Sequence, residues 1–321
     1  MTETLQSRER PDQVLMPGFR HEAFFYEHLE DFAATVAAFV EAGVAAGEPV
    51  MVALPGAKLA LLRDRLGDAA EHVEMLDMEQ IGRNPARIIP AWRDFVRRNG
   101  GGDRRLRGVG EPIWSGRSDA ELVECQLHES LLNPAFSGSA DMWLLCPYDL
   151  SALSSAVVLE ARRSHPFVAE GGATRPSPEF RDVLATTVLD TALPEPAGPI
   201  EELAFDADTV REARRLVSRW ATELSTHRAA DFVLAVHEIA TNSVRHGGGS
   251  GRLRCWRDGD SRYVCEVTDR GRIERPLLGR QLPPADDEVG RGMWLANQLC
   301  DLVQVRSSPA GSAVRLHISA H

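Results

Sequence analysis

The stretch HEIATNSVRHGGG, residues 237–249, closes a long amphipathic run. Glu238, Asn242 and Arg245 recur at i, i+4 and i+7, so on a helix they share one face. Beside them runs a stripe of Phe232, Val236, Ile239 and Ser243. The spacing predicts a helix over 229–246. A carboxylate and an amide on one edge of a core helix suit a hydrated Mg²⁺ ion and the activation of a hydroxyl group. A solvated polar face has the same spacing, so this helix alone leaves both readings open.

Three further pieces follow towards the C-terminus. Asp269-Arg270-Gly271 ends an apolar strand, where an aspartate can accept an amino N–H and a glycine admits a flat base. Gly290-Arg291-Gly292-Met293 is expected to open a helix over 292–301, with glycine N–H groups available to phosphates. Gly311-Ser312 lies between two final strands, 302–307 and 313–319. Singly they read as a strand-end turn, a flexible helix start and a hairpin turn. With a helix at 206–225 and strands at 252–257 and 262–269, the order is α–α–β–β–loop–α–β–β. That order predicts an α+β sandwich with helices on one face of an antiparallel sheet.

Taken in order, ExxxN, DxG, GxGM and GS resemble the GHKL ATP-binding fold, the Bergerat sandwich of histidine kinases, gyrase-type ATPases and anti-sigma serine kinases. The likeness covers residues 200–321 and is greatest to the anti-sigma serine kinase branch. It implies ATP and Mg²⁺ as cofactors. On that likeness Asn242 coordinates Mg²⁺, Asp269 contacts adenine and Gly271 lines the base pocket. Gly290, Arg291, Gly292, Met293 and Ser312 complete the nucleotide contacts, residues 272–289 form an ATP lid, and Glu238 is the general base. One departure stands out: where the family often has DxGxG, this chain has DRGRI, with Ile273 in place of a glycine. His237 reads as a structural residue, because no separate helical hairpin presents a phospho-acceptor histidine. His246 suits the helix C-terminus, where a cation meets the helix dipole.

The N-terminal half has another rhythm. Strand candidates at 23–26, 50–54, 73–78, 105–114 and 141–149 alternate with helix candidates at 30–46, 59–66, 85–98, 121–132 and 151–164. Alternation of this kind implies a mostly parallel sheet covered by helices. The prolines at 176, 178, 194, 196 and 199 mark a linker over 171–199, and residues 1–18 read as a flexible tail.

Composition excludes several classes. The 321-residue chain has one lysine, Lys58, set between Ala57 and Leu59, so there is no GK[ST] phosphate loop. The five cysteines are widely spaced with no CxxC pair, which argues against a zinc ribbon or a disulfide framework. The net charge of −11 arises within residues 1–200, and no basic run marks a nucleic-acid face. No apolar run approaches membrane-spanning length, and the N-terminus lacks the apolar middle of a signal peptide. The expectation is a soluble cytoplasmic protein, with no direct nucleic-acid or membrane partner.

Residues 19–170 resemble the MEDS sensory domain, a relative of RecA-like clock ATPases without their phosphate loop. The matching segments are HEAFFY (21–26), FVEAGVAAGEPVMVALP (39–55), RGVGEPIW (107–114), ESLLN (129–133), LLCPYD (144–149) and SHP (164–166). The resemblance implies a small-molecule ligand. Parallel sheets bind ligands beyond the carboxyl ends of their strands, which singles out Glu111, Trp114, Cys146, Tyr148 and Asp149. Core packing and helix capping account for the same residues equally well. The whole implies a switch: a sensory domain controlling a kinase-like domain that binds a sigma factor or phosphorylates a serine of an anti-sigma antagonist. Kinases of this branch are often homodimers. The alternatives are a non-catalytic, nucleotide-responsive binding module and a histidine-kinase-like signalling protein.

Overall fold

A computed structural model describes residues 18–101, 104–138, 141–182, 184–259, 261–284 and 288–320. The calls on residues 1–17 of the tail and on 285–287 of the lid lie outside these.

The N-terminal sheet has the order β3-β2-β4-β5-β1-β6-β7. Its strands are β1 (Phe19–Tyr26), β2 (Val50–Leu54), β3 (Val73–Asp77), β4 (Leu106–Gly110), β5 (Met142–Asp149), β6 (Phe167–Glu170) and β7 (Ala173–Pro176). All pair in parallel except β7, which turns back on β6. Strands buried on both faces need unbroken apolar runs, and β2 is VMVAL with every residue buried. Helices α1 (Leu29–Ala45) and α2 (Gly56–Leu66) close one core on one face. Helices α3 (Met78–Ile81), α4 (Ile88–Asn99), α5 (Asp119–Phe136) and α6 (Ser155–Ser164) close a second core on the other. A capping box, Ser118 with Glu121, starts α5 where the sequence turns from loop to helix.

The C-terminal sheet is antiparallel, ordered β11-β12-β10-β9-β8. It comprises β8 (Glu201–Asp206), β9 (Ser250–Asp258), β10 (Arg262–Asp269), β11 (Leu302–Ser308) and β12 (Gly311–Ser319). Helices α8 (Val210–Trp220), α9 (Thr226–His246) and α10 (Glu288–Leu299) pack on one face around a third core. The fold class is therefore α/β with a mostly parallel sheet, followed by an α+β sandwich.

Two sequence expectations need correction. The helix expected at 206–225 is shorter, and β8 precedes it as the edge strand beside β9; charged residues at 201, 202 and 206 hid its alternation. The helix expected from 292 begins at Glu288, so Gly290 and Gly292 lie inside α10, and Gly292 sits beyond its first turn. The linker over 171–199 carries structure of its own. It holds β7 and a helix, α7 (Leu184–Asp190), that packs against both α5 and β11. Further on, the Pro194 carbonyl accepts from Arg315 Nη2 at 2.9 Å, and Glu195 pairs with Arg254. The segment is a strap docked on both halves.

Candidate nucleotide site

Helix α9 lies against β10, with its polar edge at the carboxyl end of that strand. There the Asp269 carboxylate is held from three sides. Its Oδ1 accepts from the Gly271 N–H and the Ser312 hydroxyl, both at 2.8 Å, and its Oδ2 accepts from the Ser243 hydroxyl at 2.6 Å. Ser312 faces Asp269 because β12 pairs with β10 in that register. The sequence singled out Ser312 and Gly271. It missed Ser243, whose signal was a hydroxyl within an otherwise apolar stripe.

Glycines make room for this arrangement. A Cβ on Gly247 would fall 2.4 Å from Asp269 Cγ, and one on Gly271 would fall 2.8 Å from the Gly247 Cα. Gly311 has φ +137°, and a Cβ there would fall 2.2 Å from the Asp269 carbonyl oxygen. Two chain segments and a turn thus meet at one carboxylate, closer than any side chain would allow.

Around it opens a cavity of about 290 Å³, near the lower end for small-molecule sites. Asn242, Asp269, Gly271, Met293 and Ser312 line it, with Ile239 and Ile273 among the apolar walls. His246 stands at its edge. Ile273 fills the place of the family's glycine, and its N–H donates to Ser307 Oγ at 2.8 Å. Glu238 and Asn242 share the half-buried flank of α9. Gly292 packs on both: a Cβ there would fall 2.8 Å from Asn242 Nδ2 and 3.2 Å from Glu238 Oε2. Gly290 and Arg291 occupy the first turn of α10. His237 is not among the residues that line the cavity. Burial and the nearby Arg214 and Arg211 lower its pKa, which keeps the ring neutral.

The expected lid is anchored on the other domain. Arg280, in the segment after Gly271, reaches Glu124 of α5 at 3.3 Å, and Arg306 of β11 reaches the same carboxylate at 2.8 Å. All three side chains are at least nine-tenths buried. Gly279, at φ +74°, packs on Met293, and its carbonyl accepts from Asn297 Nδ2 at 3.0 Å. From the N-terminal side Asn84 hydrogen-bonds Asn297, and Arg87 donates to the carbonyls of Asn297 at 2.8 Å and Cys300 at 2.9 Å. Arg87 so caps the C-terminus of α10 from the other domain.

The five N-terminal candidates do not share one contact set. Glu111, fully buried, pairs with Lys58 Nζ and Tyr26 OH, and burial pushes its carboxyl up to about 7. The only lysine is thereby committed to a structural pair. Trp114 stacks under Arg117, whose guanidinium is 3.7 Å from the ring centre. Asp149 caps the turn after β5 through the Ser151 N–H at 2.9 Å. Cys146 and Tyr148 point into the core between the sheet and α5, where Cys146 meets His21 and Tyr148 packs edge-on to His165. Burial pushes the Cys146 thiol well above its usual range, so it is not an activated thiolate in this setting.

Among the described residues no helix is long and apolar enough to cross a membrane. No match to the chain is found among curated proteins. Of solved structures, the RsbU and RsbW domains of Rv1364c from Mycobacterium tuberculosis align at 20% identity over 38% of this chain and 32% of that one, with a TM-score of 0.30. The chain thus spans about a third of that structure, and the likeness is too distant to carry an argument. Two family models match. One is the methanogen/methylotroph DcmR sensory domain, MEDS, over residues 20–166; the other is the histidine kinase-like ATPase domain over 203–318. The first covers β1 to β5 and the second the antiparallel sheet, and the chain joins a MEDS sensory domain to a histidine kinase-like ATPase domain of the GHKL class, the architecture of a signalling regulator.

Proposed function

We propose that the C-terminal domain binds Mg²⁺·ATP and acts as a protein serine kinase of the anti-sigma type, under control of the MEDS domain. The observation that carries this reading is the Asp269 carboxylate, oriented by Ser243, Ser312 and the Gly271 N–H at the floor of an apolar-walled cavity. A carboxylate so fixed is suited to accept an exocyclic amine, and Gly271, packed on Gly247, brings the N–H that helps to orient it. The amide oxygen of Asn242 is a hard, neutral donor of the kind Mg²⁺ takes once, alongside water and phosphate oxygens. Bound there, the ion would neutralise phosphate charge. Glu238, one turn earlier on the same edge, would accept the proton of an incoming serine hydroxyl. The partner is a sigma factor or a serine-bearing anti-sigma antagonist.

Control runs through the lid. Glu124 holds Arg280 of the lid and Arg306 of β11 together. Gly292 of α10 packs directly on Asn242 and Glu238. A shift of α5 would therefore be felt at both the lid and the catalytic edge.

Calorimetry with Mg²⁺·ATP on the full chain tests the site. Binding is expected for the native protein and lost in Asn242→Ala; a native chain that binds no nucleotide sinks the proposal. For catalysis, Glu238→Ala should keep ATP binding and lower phosphoryl transfer to a serine partner by ~10²–10⁴-fold. A second reading, a nucleotide-responsive module without catalysis, is favoured by Ile273 at the glycine position. It predicts that Glu238→Ala leaves control of the partner intact.

A further inference from the structure

Four side chains far apart in sequence converge in the MEDS core: His21 on β1, Glu129 on α5, Cys146 on β5 and His165 just after α6. All four are buried, and one ligand atom of each lies within 4.8 Å of all the others. We propose that they form a tetrahedral site for a divalent transition-metal ion of the zinc type, with His21 Nε2, His165 Nε2, Cys146 Sγ and a Glu129 carboxylate oxygen as ligands.

The spacing fits. Tetrahedral zinc with N, O and S ligands at about 2.0–2.3 Å places neighbouring donors about 3.3–3.8 Å apart. Here His21 Nε2 and His165 Nε2 lie 3.0 and 3.2 Å from Glu129 Oε2, and Cys146 Sγ lies 3.4 Å from His21 Nε2. Small outward shifts would seat an ion among them.

The outer hydrogen bonds fix which ring nitrogens face inward. His165 Nδ1 is 2.7 Å from the Ala161 carbonyl, which can only accept, so that nitrogen carries the proton. The Asn133 amide donates through Nδ2 to the Ser164 carbonyl at 2.8 Å, which turns its Oδ1 to His21 Nδ1 at 3.2 Å. His21 Nδ1 therefore also carries its proton. Both Nε2 atoms are then bare lone pairs aimed at one carboxylate. The single thiol proton of Cys146 can meet only one of these lone pairs, so the array stays short of positive charge unless a cation sits in the middle. Two protons could supply positive charge, but the rings lie 3.9 Å apart centre to centre, which disfavours two adjacent imidazolium ions. One metal ion meets all four donors at once. Ring N–H groups tied to a carbonyl and an amide are the supports that metal-bound histidines commonly have. Glu129 Oε1 has no hydrogen-bond partner, and neither does His165 Nε2 by hydrogen-bond geometry, so donor capacity remains at the centre. An all-protein, mixed N/O/S set of this kind suits zinc better than the all-oxygen preference of Mg²⁺ or Ca²⁺.

The test uses the full chain, purified without a metal-affinity step, and does not depend on ATP binding. Elemental analysis should find about one equivalent of zinc or another first-row divalent metal. Removing it and adding Co²⁺ should give visible bands of tetrahedral cobalt with a thiolate charge-transfer band in the near ultraviolet. Cys146→Ser should lose the thiolate band, and Cys255→Ser should keep it. Should Cys146→Ser not fold, X-ray absorption of the native zinc form decides, with one sulfur and three lighter ligands expected. A metal-free native chain that gives no cobalt bands overturns the proposal, as does a thiolate band that survives in a folded Cys146→Ser protein.

Discussion

At the scale of single residues, the floor of the nucleotide cavity rests on contacts too close for side chains. Gly247→Ala would drive a methyl group to within 2.4 Å of Asp269 Cγ and 2.6 Å of the Ser243 carbonyl. It is expected to cost about 1–3 kcal/mol of stability and to weaken nucleotide binding at least tenfold, as urea titration and calorimetry would show. Ser243→Ala removes one of three donors to the carboxylate and should cost about 1 kcal/mol in the same urea titration. A second residue-scale effect is acid sensitivity. His128 and His317 are buried, and burial together with nearby arginines lowers each to about 3 from an ordinary 6.5, with Glu129 partly offsetting this at His128. Between those values the unfolded chain binds protons that the folded chain does not. Stability is thus fully present above pH ~6.5 and lost as pH falls towards 3, by about 1.4 kcal/mol per pH unit for each histidine. Urea midpoints from pH 7 to 4.5 would record this slope, and His317→Gln should remove one histidine's share.

At the scale of elements, α5 joins the two halves. It presents Glu124 to Arg280 and Arg306 and Glu129 to the histidine cluster, five residues apart and so about 7.5 Å along one rigid helix. Glu124→Ala would leave Arg280 and Arg306 buried without a counter-charge. The expected cost is about 3–5 kcal/mol in urea unfolding, with faster hydrogen exchange at residues 275–280 than elsewhere. Uniformly faster exchange would mean that residues 275–280 are not held by this contact. The helices themselves were legible because their apolar spacing is strong and serines mark several starts, including Ser118, Ser154 and Ser225. Strand β8 was not legible, because an edge strand with one wet face reads as charged coil.

At the scale of the whole molecule, the halves are tied by polar contacts around α10. Arg87 reaches three backbone carbonyls at the end of that helix, and Asn84 fixes Asn297. The native chain should unfold in one calorimetric transition, and Arg87→Ala should separate it into two. Two transitions already present in the native chain would show that the halves are energetically independent. The strap of residues 171–199 has a matching role: α7 lies on α5 and β11 together, so the connection is also part of the contact.

The sequence by itself determined five strands of the parallel sheet, four of the antiparallel sheet and the edge of α9, because periodicity and the order of Glu238, Asn242, Asp269, Gly271, Gly292 and Ser312 are local properties that survive without a fold. It also excluded a lysine phosphate loop, since the one lysine has the wrong neighbours. Only the tertiary structure decided that Ser243 and Gly247 complete the setting of Asp269, that Arg280 is held by Glu124, and that His21, Glu129, Cys146 and His165 meet. The reason is physical. These groups come from separate elements, and their spacing along the chain has no period. Parallel strand order and helix packing alone bring residues 21 and 165 to the same few ångströms.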